Sequence, residues 1–196
     1  MAKRTKEEKA SNTAGYTCFS RACATREKDE RYQGPDYMAE IFLPVLAKVI
    51  LNVPVLRKAF MRKVAPSGIY EYVLARTKLL DEIFLDGLEK KVHQIVILGA
   101  GMDTRALRFA DKNHGTKIIE LDIEKTQKPK IEILNRKHVT LPGELVFASI
   151  DFNQESLSDV LAKAGYQKDQ QSVFLWEGVT MYLHSDAVDG TLSFIR

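Results

Sequence analysis

Four short apolar runs rich in branched residues constrain this chain more than any other feature: "QIVIL" at 94–98, "KIIELD" at 117–122, "ELVFASID" at 144–151 and "SVFLWE" at 172–177. Their apolarity is continuous rather than alternating, which suits strands covered on both faces. Between them the spacing predicts helices near Thr104 to Asp111, Ile123 to Lys137 and Gln154 to Ala164. Alternation of strand and helix gives a parallel sheet with crossover connections, so the expected fold class is α/β, a doubly wound, Rossmann-like sheet.

Upstream the pattern is helical. From Asp36 to about Arg62 it is interrupted by prolines, and Pro66 with Ser67 then starts a longer helix through about Glu89, because serine can accept a bond from a first-turn amide. Val73, Leu80, Ile83, Phe84 and Leu88 recur at the three-four spacing of one buried stripe, and Arg76 falls on it. The expected organisation is a flexible tail over 1–15, a helical lid over 16–66 and a Rossmann-like domain over 67–196. The most apolar piece, Ile41 to Leu56, is shorter than the ~20 residues of a bilayer span and is broken by Pro44, Lys48, Asn52 and Pro54. It reads as a buried or lid helix, with an interfacial or apolar-ligand surface as the alternative.

A chain of 196 residues with 45% apolar and 28% charged side chains is globular in composition. Its 29 basic and 26 acidic residues are too evenly balanced to imply a polyanion, so no nucleic acid partner is expected. Cys18 and Cys23 have no histidine between them and fit neither a zinc site nor a disulfide framework, which makes a reduced, cytoplasmic setting the default. The N-terminal residues lack the apolar core of a secretory signal, and no membrane partner is expected.

The chemistry concentrates in "HQIVILGAGMDTRALRF", where a strand runs into Gly99, Ala100 and Gly101. Paired glycines let the backbone approach a ligand and turn its amides toward it. A dinucleotide fingerprint would place a third glycine at position 104, which is Thr104. Glu120 and Asp122 lie about 20 positions on at the end of the next strand, where ribose hydroxyls need an acceptor, and Asp122 is nearer the carboxyl end. Asp151 and Glu177 end the third and fourth runs, so four successive strand ends converge on one crevice; the alternative for each acid is a helix cap. Arg76, on an inward stripe, needs an anionic partner: a buried acid such as Glu120, or a carboxylate on the ligand. A nucleotide with a ribose, a carboxylate and no pyrophosphate is S-adenosylmethionine, for which a third close-approach glycine is less needed.

With those residues in place, the sequence resembles the leucine carboxyl methyltransferase-like family of S-adenosylmethionine-dependent methyltransferases, including its bacterial and archaeal branch of small-molecule O-methyltransferases. The matching pieces are "YVLARTKLLDEIF", "IVILGAGMDTRALRF", "IIELDIEKTQKPK", "ASIDFN" and "LWEGVTMYL". The resemblance implies that Arg76 binds the methionine carboxylate, that Gly99 and Gly101 lie against the cofactor, and that Asp122 binds ribose. It also implies that Asp151 and Phe152 border adenine and that Glu177 sits near the methionine amino end. "FSRACATREKDERYQGPDY" is similar to the family's segment over the cofactor, which makes Arg21 a second carboxylate ligand, against the alternative of a solvated arginine. The wider methyltransferase motif carries a glycine where this chain has Asp103.

The expected reaction is methyl transfer to a carboxylate or hydroxyl of a small molecule. A carboxylate acceptor needs no base; for a hydroxyl the candidates beside the crevice are Glu177, Tyr182 and His184, the last also readable as a loop residue before a Ser185 cap. The resemblance implies a seven-stranded class I sheet, so three C-terminal strands are expected to be missing, and the fourth strand would form an open edge suited to a homodimer. Competing readings are an NAD-dependent oxidoreductase and a non-catalytic cofactor-binding or assembly protein.

Overall fold

The computed structural model describes residues 6–64 and 68–196. Among these, four strands form one parallel sheet in the order β3-β2-β1-β4: β1 Gln94–Leu98, β2 Lys117–Asp122, β3 Leu145–Ser149 and β4 Ser172–Trp176. β1 and β2 keep the bounds expected of them, while β3 and β4 stop short of Asp151 and Glu177, which lie in the turns beyond the strand ends.

Eight α-helices surround the sheet among the described residues. α1 (Lys6–Ala24), α2 (Val45–Asn52) and α3 (Pro54–Val64) precede it, with a 3-10 turn at Ala39–Phe42 between α1 and α2. α4 (Ile69–Glu89) leads into β1, α5 (Arg105–Arg108) and α6 (Glu124–Arg136) flank β2, α7 (Leu157–Lys163) follows β3, and α8 (Ser185–Ile195) follows β4. Alternate residues of β1 face opposite layers, as strand geometry requires. Ile95 and Ile97 pack with Phe84 and Leu88 of α4, whereas Val96 and Leu98 pack with Leu157 and Leu161 of α7. The doubly wound arrangement follows from this two-sided burial.

Several local expectations change. α1 runs without a break across the boundary between residues 15 and 16 that separates tail from lid in the sequence reading. Pro66 and Ser67 lie outside the described residues; α4 starts at Ile69 with Gly68 at its N-cap. Its buried stripe is Val73, Thr77, Asp81, Phe84 and Leu88, so Ile83 is exposed and Arg76 sits at the edge of the stripe. Ile41 to Leu56 is not one buried helix. Pro44 N-caps α2 and Pro54 opens α3, as proline's fixed φ and missing amide favour at helix starts, and much of the pair's apolar surface is exposed.

A third cluster joins this N-terminal segment to the domain: Cys18, Phe19 and Cys23 of α1 pack with Phe42, Leu51 and Leu134 of α6. Both cysteines are free and buried, and burial pushes their thiols up, to about 11 for Cys18 and about 12 for Cys23.

Candidate functional site

β1 is the strand at which the chain changes direction, with β2 and β3 on one side and β4 on the other. Crossovers leave β1 on opposite sides there, so a crevice opens beyond the carboxyl ends of the strands. A cavity of about 660 Å³ occupies that position. The turn after β1 forms its floor, α1 and the start of α4 one wall, and the segments after β2, β3 and β4 the other.

The glycine turn is explained partly by packing. Gly99 and Gly101 have φ of 68° and 53°, a region where side chains are strained. A Cβ on Gly99 would lie 2.2 Å from Val179 Cγ2, so this glycine is required by the β4 loop as well as by any ligand. The Gly101 amide donates to Asp122 Oδ2 at 2.6 Å, and the Ile123 amide donates to Asp122 Oδ1 at 2.7 Å. These bonds fix the Asp122 carboxylate on the cavity wall with lone pairs to spare. Burial raises its pKa, partly offset by the two amides.

Asp151 and Phe152 also line the cavity. Asp151 caps its own turn, accepting from the Asn153 amide at 2.9 Å and from Gln154 Nε2 at 2.6 Å. Phe152 is buried and packs with the α7 layer. Glu120 is elsewhere: it points away from the cavity and pairs with Lys130 of α6, both fully buried.

At the α4 end Arg76 Nε stands 2.7 Å from Glu177 Oε1, each side chain about one-fifth exposed. Arg76 therefore pairs with Glu177 and not with Glu120. Its Nη1 and Nη2 crowd Gly178, where a Cβ would come within 3.3 and 3.6 Å, and its guanidinium lies 5.1 Å from the Tyr72 ring centroid. Glu177 Oε2 also accepts from Arg105 Nη1 and Nη2 at 3.3 Å each.

Arg105 opens a buried charge network that the sequence reading missed. Its Nε donates to Asp81 Oδ1 at 2.8 Å, its Nη1 to Asp103 Oδ2, and its own amide is capped by Asp103 Oδ1 at 2.7 Å. Burial alone would raise Asp103, but Arg105, Lys130 and Arg21 hold it below the ordinary carboxylate range. Asp81 also accepts from Arg108 Nη1 and Nη2 at 2.7 Å each. Asp81's place between Thr77 and Phe84 on the inward face of α4 was the available signal, since an acid there demands cations.

Arg21 is not solvated. It is buried at the cavity wall, with Nη2 donating to Met102 O at 2.7 Å and Nη1 2.9 Å from Asp36 Oδ2. Tyr182 shares a 2.6 Å hydrogen bond with the Thr13 hydroxyl of α1. His184 is exposed at the rim, its amide donating to Asn153 Oδ1 at 2.9 Å; it, and not Ser185, occupies the N-cap of α8, with no side-chain capping bond. Among the described residues no cluster of three His, Cys, Asp or Glu could hold a metal ion.

The chain is 34% identical over 120 residues to a Frankia alni protein, 32% over 123 residues to one from Streptomyces coelicolor and 36% over 115 residues to one from Mycolicibacterium smegmatis. All three carry, as a provisional assignment, the name S-adenosyl-L-methionine-dependent methyltransferase. These matches cover 61, 63 and 58% of this chain but only 41, 43 and 37% of the respective relatives. The chain thus spans about two-fifths of the length of the curated relatives it matches. The family model described as leucine carboxyl methyltransferase matches residues 14–196, and by that match the chain belongs to the leucine carboxyl methyltransferase family.

Proposed function

We propose that the cavity binds S-adenosylmethionine and serves transfer of its methyl group to a carboxylate or hydroxyl of a small molecule. The observation that carries this reading is the placing of one guanidinium and one carboxylate on a single cavity of about 660 Å³, Arg76 on the α4 wall and Asp122 beyond the glycine turn. That volume is in the range of small-molecule and cofactor sites. Because Arg76 meets Glu177 through Nε, its Nη1 and Nη2 fork remains to grip a carboxylate in two-point geometry. Glu177 and the Tyr72 ring suit a cationic group beside it. Asp122 accepts from ribose hydroxyls, Asp151 and Phe152 border the base, and Arg21 adds a second cation toward the carboxylate.

When bound, the sulfonium supplies a methyl carbon already activated for displacement. The residues of the cavity orient the reactants and exclude water, which is where most of the available acceleration lies. A carboxylate acceptor requires no base. For a hydroxyl, Tyr182 and His184 at the cavity are the candidates, and a pH-rate profile with each changed to phenylalanine separates them.

An NAD-dependent reading fits poorly. α5 spans only Arg105–Arg108, and Asp103 already takes the Arg105 amide at its start, so little of the helix end is left for a pyrophosphate. Calorimetric titration with S-adenosylhomocysteine beside NAD tests the assignment. S-adenosylhomocysteine binds and NAD does not, and Arg76→Ala weakens binding by about 2 kcal/mol, the scale for losing a hydrogen bond to a charged group. Equal affinity for both ligands, or an Arg76→Ala variant that binds as well as the parent, overturns it. Cofactor binding without turnover on any acceptor would favour the non-catalytic alternative. β4, paired among the described residues only with β1, is the edge at which a second copy would add, and a monomer by light scattering at micromolar concentration counts against that pairing.

A further inference from the structure

Helices α2 and α3 bury Leu51 but leave many of their other apolar residues exposed. Val45, Leu46 and Val55 are 81, 71 and 76% exposed, and Val49, Val53 and Leu56 are each at least 40% exposed. Six such side chains within the twelve residues 45–56, five on two helices packed against each other and Val53 at their junction, form a patch of the kind that marks a contact surface.

Charge says what that surface fits. Between Glu40 and Glu71 the sequence holds no acidic residue, while Lys48, Arg57, Lys58, Arg62 and Lys63 are basic. Lys58 is exposed and Lys48 partly so. The buried Arg57 guanidinium donates to the carbonyls of Leu51 at 2.9 Å and Arg26 at 3.3 Å, neutral groups that leave its charge to add to the positive field. Behind the pair lies a second cavity of about 330 Å³, walled by apolar side chains that include Phe19, Phe42, Ile50 and Phe60.

We propose that the α2–α3 pair docks on an anionic lipid surface, with its exposed apolar side chains at the acyl boundary and Lys48 and Lys58 among the headgroups. Amphipathic helices that combine apolar bulk with cations lie in the interface in this way. Lying on a bilayer differs from crossing it, and no helix among the described residues is long and apolar enough to cross. A second copy of the chain is a poorer occupant, because a two-fold contact through this face would press two cation-only segments together. An acidic protein or nucleic acid would meet the lysines but leave the apolar ridge and the cavity behind it unmatched. The proposal is independent of methyl transfer, and its test needs neither cofactor nor acceptor.

The test is co-sedimentation of the chain with phosphatidylglycerol vesicles and with phosphatidylcholine vesicles across a range of salt. Binding to phosphatidylglycerol is expected to be tighter by about tenfold or more and to weaken as salt rises. Leu46→Asp with Val55→Asp, both at exposed positions, lowers that binding by about tenfold or more with the thermal melting curve unchanged. Lys48→Glu with Lys58→Glu abolishes the preference for the anionic lipid. Failure to bind phosphatidylglycerol, equal binding to both lipids, or binding that the double aspartate variant retains overturns the proposal. So does a dimer by light scattering that the same double variant dissociates.

Discussion

The Thr104 hydroxyl donates to the Asp36 carboxylate at 2.8 Å, joining two buried residues 68 positions apart in sequence. Asp36 also caps the Ala39 amide at 3.0 Å and pairs with Arg21 and Arg108, so one carboxylate fastens the N-terminal helical segment to the turn that forms the cavity floor. The residue at the missing third glycine is thus a tether.

From this tether it follows that Asp36→Ala weakens S-adenosylhomocysteine binding although Asp36 does not line the cavity. The loss expected is about tenfold, the scale of one or two hydrogen bonds to a charged group. Calorimetry combined with limited proteolysis of the segment between α1 and α2 checks it; unchanged affinity with faster cleavage would show that this segment and the cavity are uncoupled.

Asp81 holds two arginines with three donor contacts of 2.7 to 2.8 Å. Replacing it by alanine leaves both guanidiniums short of their buried counter-charge and costs about 3–5 kcal/mol of unfolding free energy, the range for breaking a buried ion pair from one side. Urea denaturation measures it, and a loss below about 1 kcal/mol would mean that Asp103 and Glu177 compensate.

Gly99→Ala is expected to be severe, because the new methyl meets Val179 Cγ2 at 2.2 Å and the residue is held at a φ of 68°. Val179→Ala in the same chain removes the 2.2 Å clash but leaves the residue 179 Cβ at 3.2 Å and backbone strain of roughly 1–2 kcal/mol. A double-mutant cycle of melting temperatures separates the two contributions; no rescue by Val179→Ala would place the whole effect in the backbone.

Glu120 supplies a pH dependence. Burial outweighs the Lys130 ammonium and lifts the Glu120 carboxyl from 4.5 to about 7. An acid raised on folding holds a proton that the unfolded chain releases, so its contribution to stability is full below pH 4.5 and is lost as pH rises through about 7. Denaturation midpoints of the parent are expected to fall between pH 5 and pH 8 more than those of Glu120→Gln; parallel curves would contradict this.

β1 and β2 could be read to the residue because continuous branched runs leave no other period to follow, whereas Pro44 and Pro54, read as breaks within one apolar helix, stand at the starts of two. The partners of Arg76 could not be read, since Glu120 lies within one apolar run and Glu177 ends another, and only the burial of Lys130 beneath the sheet assigns one of them elsewhere. Arg105 and Arg108 could not be read for a related reason, and Asp81 gave only its inward place on α4 as a signal. Each looks like an interruption of an apolar pattern until the others are brought to it across the fold. The α2–α3 segment misled by hydropathy alone, because a strongly apolar sequence says that a surface wants covering without saying what covers it.

Around Arg76 and Glu177 positive and negative groups alternate, from Arg76 through Glu177 and Arg105 to Asp103 and Asp81. Under the proposed reading, an amino-acid tail extends that checkerboard by one square of each colour. An analogue stripped of its carboxylate would bring only a surplus cation, leaving the Arg76 fork facing a like charge. Decarboxylated S-adenosylmethionine, with the same sulfonium and the same adenosine, is therefore the molecule this mouth turns away.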